Sequence, residues 1–232
     1  MDGFTDEEKV DNSTIYFDHL KSELEPDAKN DLDNLIASLV FLDQVGLKPV
    51  ILHGAGPMLS EALDQDKVAF SFIDGQRVTS DEVRDVAQSV FCKTNQLIVE
   101  ALQSQGAKAE GLTSKIFECK IAKPELGFVG EIQSVNEDLV SNILESDAIP
   151  VIAPIGVSET GATYNINADA VAGALARTLK AEKLILMTNT PGVLDKQGTL
   201  LTSLTGEEIG DLKADGTIVG GMIPKVDCAL DA

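Results

Sequence analysis

The stretch from Ile149 to Asp195, IPVIAPIGVSETGATYNINADAVAGALARTLKAEKLILMTNTPGVLD, constrains the fold of this chain more than any other. Ile149–Pro154 is a short apolar run with β-branched residues, and Val157–Thr163 is a glycine-bearing turn. Ala168–Leu179 has helical apolar spacing, and Lys183–Met187 has the composition of a second buried strand. A β–α–β unit of this kind predicts parallel strands and a right-handed crossover. The polar residues Asn165, Asn167 and Asp169 fall where the first loop enters the helix. Open α/β sheets bind ligands at the carboxyl ends of their strands, which makes this cluster a candidate site. Taken alone, Asn167 and Asp169 are better explained as a helix cap and a complement to the helix dipole.

The flanking sequence repeats the alternation. Thr14–Leu20 has β character, and 21–30 reads as a polar loop interrupted by proline. A helix capped by Asp31 or Asp33 is expected to run to Val45 and end at Gly46. Lys48–Leu52 is a strand that enters His53-Gly54-Ala55-Gly56-Pro57, with a helix following to Leu63. A strand, a glycine-rich turn and a helix start together let backbone amides approach a ligand unobstructed by Cβ atoms. His53 reads as a structural residue at the strand end. Phe70–Val78 predicts a hairpin turning at Asp74-Gly75, with Arg77 just beyond. A helix over Ser80–Gln105, strands near 108–112, 116–121 and 128–134, and a helix over Glu137–Glu145 follow. Late in the chain, Thr205–Asp211 reads as a short helix, and Asp215–Lys225 as a glycine-rich segment able to close over a ligand. The alternation predicts an α/β fold, a three-layer αβα sandwich with a mainly parallel open central sheet.

Composition narrows the function. In 232 residues with 44% apolar content there is enough for one large domain or two tightly joined lobes. Residues 1–13 are acidic and expected to be disordered, and they lack the apolar core of a secretion signal. Three cysteines without metal-ligand spacing point to a reduced, cytoplasmic protein. No apolar run is long enough to span a membrane. A formal charge of −20 disfavours nucleic acid and anionic membrane surfaces as partners. A polyanionic ligand would need local lysines, glycine-rich amides, helix N-termini or a metal ion.

Six segments carry a resemblance: HGAGP at 53–57, FIDGQRVTSDE at 72–82, GFVGEIQSVN at 127–136, YNINADAVAGALA at 164–176, LILMTNTPGVLD at 184–195, and DGTIVGGMIPKVDCALDA at 215–232. In this order and spacing the chain resembles the acetylglutamate kinases of the amino acid kinase family over about residues 31–232. The resemblance implies phosphorylation of the γ-carboxylate of N-acetyl-L-glutamate by ATP, with Mg²⁺ arriving on the nucleotide. By matched position, Gly54 and Gly56 belong to the glycine-rich loop on the substrate and the transferring phosphoryl group, with Ala55 between them where the family often has a third glycine. Arg77 grips the substrate α-carboxylate, and Asn165 contacts substrate. Asp169 orients catalytic groups, and Lys225 lies near the leaving phosphates. Thr188, Asn189 and Gly192 line the nucleotide pocket. Residues 14–155 would hold the substrate and 156–232 the nucleotide, and the resemblance implies a homodimer.

Two departures accompany the match. The family's first strand ends K-x-G-G, whereas here the sequence reads Thr14-Ile15-Tyr16-Phe17-Asp18-His19-Leu20-Lys21, which sets Asp18 in the lysine's place. A carboxylate beside polyphosphate opposes the chemistry. Family members also continue beyond the segment matching Val226–Ala232, so a C-terminally short domain is expected. The alternative reading is a non-catalytic domain of this family that binds arginine, as in acetylglutamate synthase. Another family member, acting on aspartate, glutamate or carbamate, fits the FIDGQRVTS and YNINAD strings less well.

Overall fold

The structure, a computed structural model, describes residues 12–17, 26–73, 75–188 and 190–232. Its first half runs β1 (Asn12–Phe17), α1 (Pro26–Gln44), β2 (Lys48–His53), α2 (Gly56–Gln65), β3 (Phe72–Ile73), β4 (Gln76–Arg77) and α3 (Asp81–Ser104). Next come β5 (Ala109–Leu112), β6 (Phe117–Ile121), β7 (Gly130–Val135), α4 (Glu137–Glu145), β8 (Ile149–Ile152), β9 (Ile155–Val157) and β10 (Thr163–Asn165). The chain finishes with α5 (Ala168–Thr178), β11 (Lys183–Met187), α6 (Gly206–Ala214) and α7 (Met222–Asp231).

A five-stranded sheet in the order β11-β1-β2-β8-β5 forms the centre, and every pairing in it is parallel. Side chains alternate across a strand, so adjacent residues serve opposite layers. Val50 and Leu52 pack with Ile152 against Val140 and Leu144 of α4 and Val171 and Leu175 of α5. Ile51, Ile149 and Val151 face Ile36 and Leu39 of α1 and Ile98 and Leu102 of α3. Helices therefore cover both faces, as the three-layer reading requires. No helix among the described residues is long and apolar enough to cross a membrane.

Several local readings are corrected. β8 and β11 are parallel members of one sheet, but β1 and β2 lie between them. The predicted turn at 157–163 is the tip of an antiparallel hairpin, β9–β10, which places Asn165 on a strand. That hairpin joins β6 and β7 in a four-stranded mixed sheet, in which β6–β9 is parallel and the other pairs antiparallel, so uniformly parallel pairing describes the large sheet only. Helix α1 starts at Pro26, inside the expected loop. Proline suits a first helical position, where its missing N–H has no partner to lose. Helix α7 starts at Met222 and carries Lys225, which was expected in a mobile loop. Pro224 sits in its first turn, where it breaks no helical bond. Upstream, Ile218 is buried with Ile209 and Val226, which anchors the segment expected to move freely. Residues 1–11, the 18–21 part of the first-strand comparison and Asp74 of the hairpin turn lie outside the described residues.

Candidate functional site

The carboxyl end of β2 delivers the glycine-rich turn. His53 is wholly buried, and Asn95 on α3 donates from Nδ2 to the Val151 carbonyl at 2.9 Å and to His53 Nε2 at 3.2 Å. Nε2 must then be an acceptor, so the ring proton sits on Nδ1, 3.4 Å from the Gly54 carbonyl. Burial pushes the His53 pKa down to about 4. This is a neutral histidine fixing the root of the loop. Asn95 fits because β5 offers Gly111 opposite it, where a Cβ would overlap the carboxamide oxygen. Helix α2 begins at Gly56, and Ala55 caps it without any side-chain bond, leaving first-turn amides open to a ligand. The Ala55 methyl is buried with Leu59 and Leu63, so a side chain at this position points into the core.

Arg77 reaches the same cleft from β4. Its guanidinium carbon lies 4.4 Å from the Phe70 ring centre and 4.7 Å from that of Phe72, against two rings that meet each other edge to face. Nη2 donates to Ser60 Oγ at 2.6 Å and lies 3.4 Å from the Gly56 carbonyl. Nη1 is buried and has no hydrogen-bond partner among the described residues. Burial lowers the Arg77 pKa and the nearby Asp64 carboxylate opposes that, but a guanidinium stays charged. A buried, oriented, unsatisfied cationic donor is a receptor for an anion, and carboxylate matches its fork.

The third wall comes from β10 and α5. Asn165 Nδ2 donates to Thr79 Oγ1 at 3.2 Å. Asn167 caps α5 by accepting from the Ala170 amide at 3.2 Å, which is the structural role its position suggested. Asp169, in the first turn of α5, is more than a dipole complement. It is 7% exposed and accepts from Lys225 Nζ of α7 at 3.1 Å, in a pair where both side chains are almost fully enclosed.

Gly54, Ala55, Gly56, Arg77, Asn165, Asp169, Thr188 and Lys225 all line one cleft of about 630 Å³. Gly192 does not line it. Its φ of +145° and the approach of Leu200 Cδ1 to within 2.8 Å of a would-be Cβ mark a turn glycine. Asn189 lies outside the described residues. Sequence reasoning missed Ser60, Thr79 and Asn95, whose roles come from contacts with distant segments. It also missed Phe70 and Phe72, although two aromatics at strand spacing just before an arginine are a readable hint.

Charge in the cleft runs against that of the whole molecule. The chain carries 38 acidic residues, yet Asp169 is the one carboxylate among the described lining residues, beside the cations Arg77 and Lys225. Open helix amides add to this. The site is built for anionic ligands in a protein that otherwise repels them.

Comparison with known proteins agrees with this picture. A family profile described as the amino acid kinase family matches residues 22–232. The chain is 48% identical over 210 residues to an acetylglutamate kinase from Methylobacillus flagellatus, covering 84% of this chain and 71% of that protein. It is 47% identical over 215 residues to an acetylglutamate kinase from Aromatoleum aromaticum, covering 86% and 72%. Among solved structures, smu.665 from Streptococcus mutans superposes with a TM-score of 0.84 at 27% identity, over 96% of this chain and 90% of that one. An N-acetylglutamate synthase from Neisseria gonorrhoeae gives 0.79 at 21% identity, over 95% of this chain and 50% of that one, a likeness of fold alone.

Proposed function

The chain belongs to the amino acid kinase family, and from that premise we propose that it transfers the γ-phosphoryl group of ATP to the γ-carboxylate of N-acetyl-L-glutamate. The product is N-acetyl-L-glutamyl 5-phosphate, a step of arginine biosynthesis, in the cytoplasm. The observation that carries this reading is the buried, unsatisfied Nη1 of Arg77 in a cleft with Gly54, Gly56, Asn165, Asp169 and Lys225. A diacid needs one anion receptor for the carboxylate that stays and an open path for the one that reacts. Arg77 is assigned the first task, and Asn165 is assigned a further contact to the same substrate.

The reacting carboxylate is already a nucleophile, so no general base is required. What remains is alignment and neutralisation of the charge that spreads over the transferring phosphoryl oxygens. The amides of the Gly54–Gly56 turn are assigned to those oxygens. Lys225 is assigned to the leaving phosphates, oriented by Asp169 at 3.1 Å. Thr188 is assigned to the nucleotide side, together with Asn189 and Gly192 from the adjoining segment. Mg²⁺ is proposed to enter on the ATP phosphates and water, its usual preference. Among the described residues no group of three or more His, Cys, Asp or Glu side chains is disposed to hold a metal ion. On this scheme 14–155 supplies the acyl amino acid side and 156–232 the nucleotide side, with Asn165 and Asp169 at the junction. A homodimer is proposed as the working form.

The test is a coupled ADP-release assay with N-acetyl-L-glutamate, glutamate and aspartate as acceptors. Turnover with the acetylated substrate above the other two is the expected result. Faster turnover with a free amino acid, or arginine binding with no turnover at all, would overturn the proposal.

A further inference from the structure

Thr79 is fully buried and lies outside every role assigned above. Its hydroxyl donates to the Arg77 carbonyl at 3.1 Å and meets Asn165 Nδ2 at 3.2 Å. A hydroxyl has one proton, and here the carbonyl takes it. The atom of Asn165 facing Thr79 must therefore be a donor, which fixes the amino end of the carboxamide on that side. The backbone of Thr79 is held just as firmly. Its amide donates to the Leu126 carbonyl at 2.9 Å, and its carbonyl accepts from the Phe128 amide at 2.7 Å. Gly127 between them has φ +67°, and a Cβ there would overlap the Thr79 carbonyl oxygen. Asn165 in turn is tied through its own amide to the Phe128 carbonyl at 3.0 Å. Among the described residues, the Thr79 hydroxyl thus joins the strand bearing Arg77 to the side chain of Asn165.

We propose that Thr79 is a positioning residue for acyl amino acid binding: its hydroxyl locks the plane and polarity of the Asn165 carboxamide and registers it to Arg77, so that the two ligand-facing groups act as one preformed receptor. This rests on the functional reading above and adds a residue to its acceptor site. An unlocked carboxamide rotates about its terminal torsion and presents the wrong end part of the time, which weakens substrate binding and leaves the nucleotide untouched.

The test is calorimetric titration of N-acetyl-L-glutamate into the 232-residue chain saturated with a non-hydrolysable ATP analogue and Mg²⁺. Wild type, Thr79→Val, Thr79→Ser, Asn165→Ala and the double variant Thr79→Val/Asn165→Ala are compared. Thr79→Val is expected to weaken N-acetyl-L-glutamate about tenfold, the loss of one oriented hydrogen bond, with nucleotide affinity unchanged. Thr79→Ser should restore wild-type affinity. In the Asn165→Ala background Thr79→Val should have no further effect, because nothing remains to be positioned. Should Thr79→Val not fold, Thr79→Cys, with its weakly hydrogen-bonding thiol, takes its place in the same cycle. Unchanged affinity in the valine variant, an undiminished effect in the Asn165→Ala background, or equal weakening of the nucleotide would overturn the proposal. Wild-type chain that binds no N-acetyl-L-glutamate would overturn the functional reading itself, and this inference with it.

Discussion

Replacing Lys225 by methionine separates the structural from the chemical role of the Asp169–Lys225 pair. The two charged groups meet at 3.1 Å with side chains only 9% and 10% exposed. At the effective dielectric that suits protein sites, charges at this distance attract by about 5 kcal/mol. Removing one partner takes this contact from the buried charge that remains, and such single removals cost about 3–5 kcal/mol. For a chain of this size that corresponds to a fall in Tm of about 10 °C. Asp169→Asn should lose a similar amount. The double variant Asp169→Asn/Lys225→Met should regain most of it, because a buried pair replaced as a unit is close to neutral. Turnover should behave otherwise. It should drop by about 10²–10³ in Lys225→Met and stay down in the double variant, since the charge assigned to the leaving phosphates is gone. Urea denaturation measures the first quantity and coupled ADP release the second. Stability losses that simply add, or a double variant with near wild-type turnover, would refute the reasoning.

Arg77→Lys keeps the charge but loses the fork and the stacking on Phe70 and Phe72. The KM for N-acetyl-L-glutamate should rise about 30-fold with the KM for ATP nearly constant, as steady-state kinetics will show. For His53, burial holds the folded pKa at about 4 against 6.5. The unfolded chain then binds the extra proton between these values, so this residue's contribution to stability is full above pH 6.5 and falls as pH drops towards 4. The loss is about 3 kcal/mol across the window, and His53→Asn should flatten that part of the curve measured by urea unfolding against pH. At the first strand, β1 ends with Phe17 paired to His53. Asp18→Lys with His19→Gly and Leu20→Gly should raise kcat by about 10²-fold if position 18 matches the family lysine; unchanged kcat would show the strand to be misaligned.

What the sequence disclosed depended on how local each signal was. The runs around Val50–Leu52 and Val151–Ile152 announced buried parallel strands through composition alone, and the punctuation Gly54-Ala55-Gly56-Pro57 announced a ligand-facing turn. Sheet order was not legible, because β8 and β11 follow each other around helix α5 yet have β1 and β2 between them in the sheet. Pairing in the second sheet was hidden for the same reason: strand pattern says little about which edge it joins. The start of α1 was misplaced because Pro26 read as a breaker, although it occupies a first-turn position, and that of α7 because the glycines before it read as a loop. At the site, Arg77 and Lys225 were singled out by resemblance to a family, since a lone arginine or lysine carries no local signature. The Thr79–Asn165 contact spans 86 positions and was invisible to any local pattern.

The central claim is that one cleft receives an acylated diacid on Arg77 and Asn165 and turns its other carboxylate towards the Gly54–Gly56 amides and Lys225. A crystal structure of the chain with N-acetyl-L-glutamate and a non-hydrolysable ATP analogue measures this directly. The α-carboxylate should lie within hydrogen-bond distance of Arg77 Nη1, with the γ-carboxylate in line with the terminal phosphate. Ligand bound elsewhere, with Nη1 still unpaired, would contradict the account.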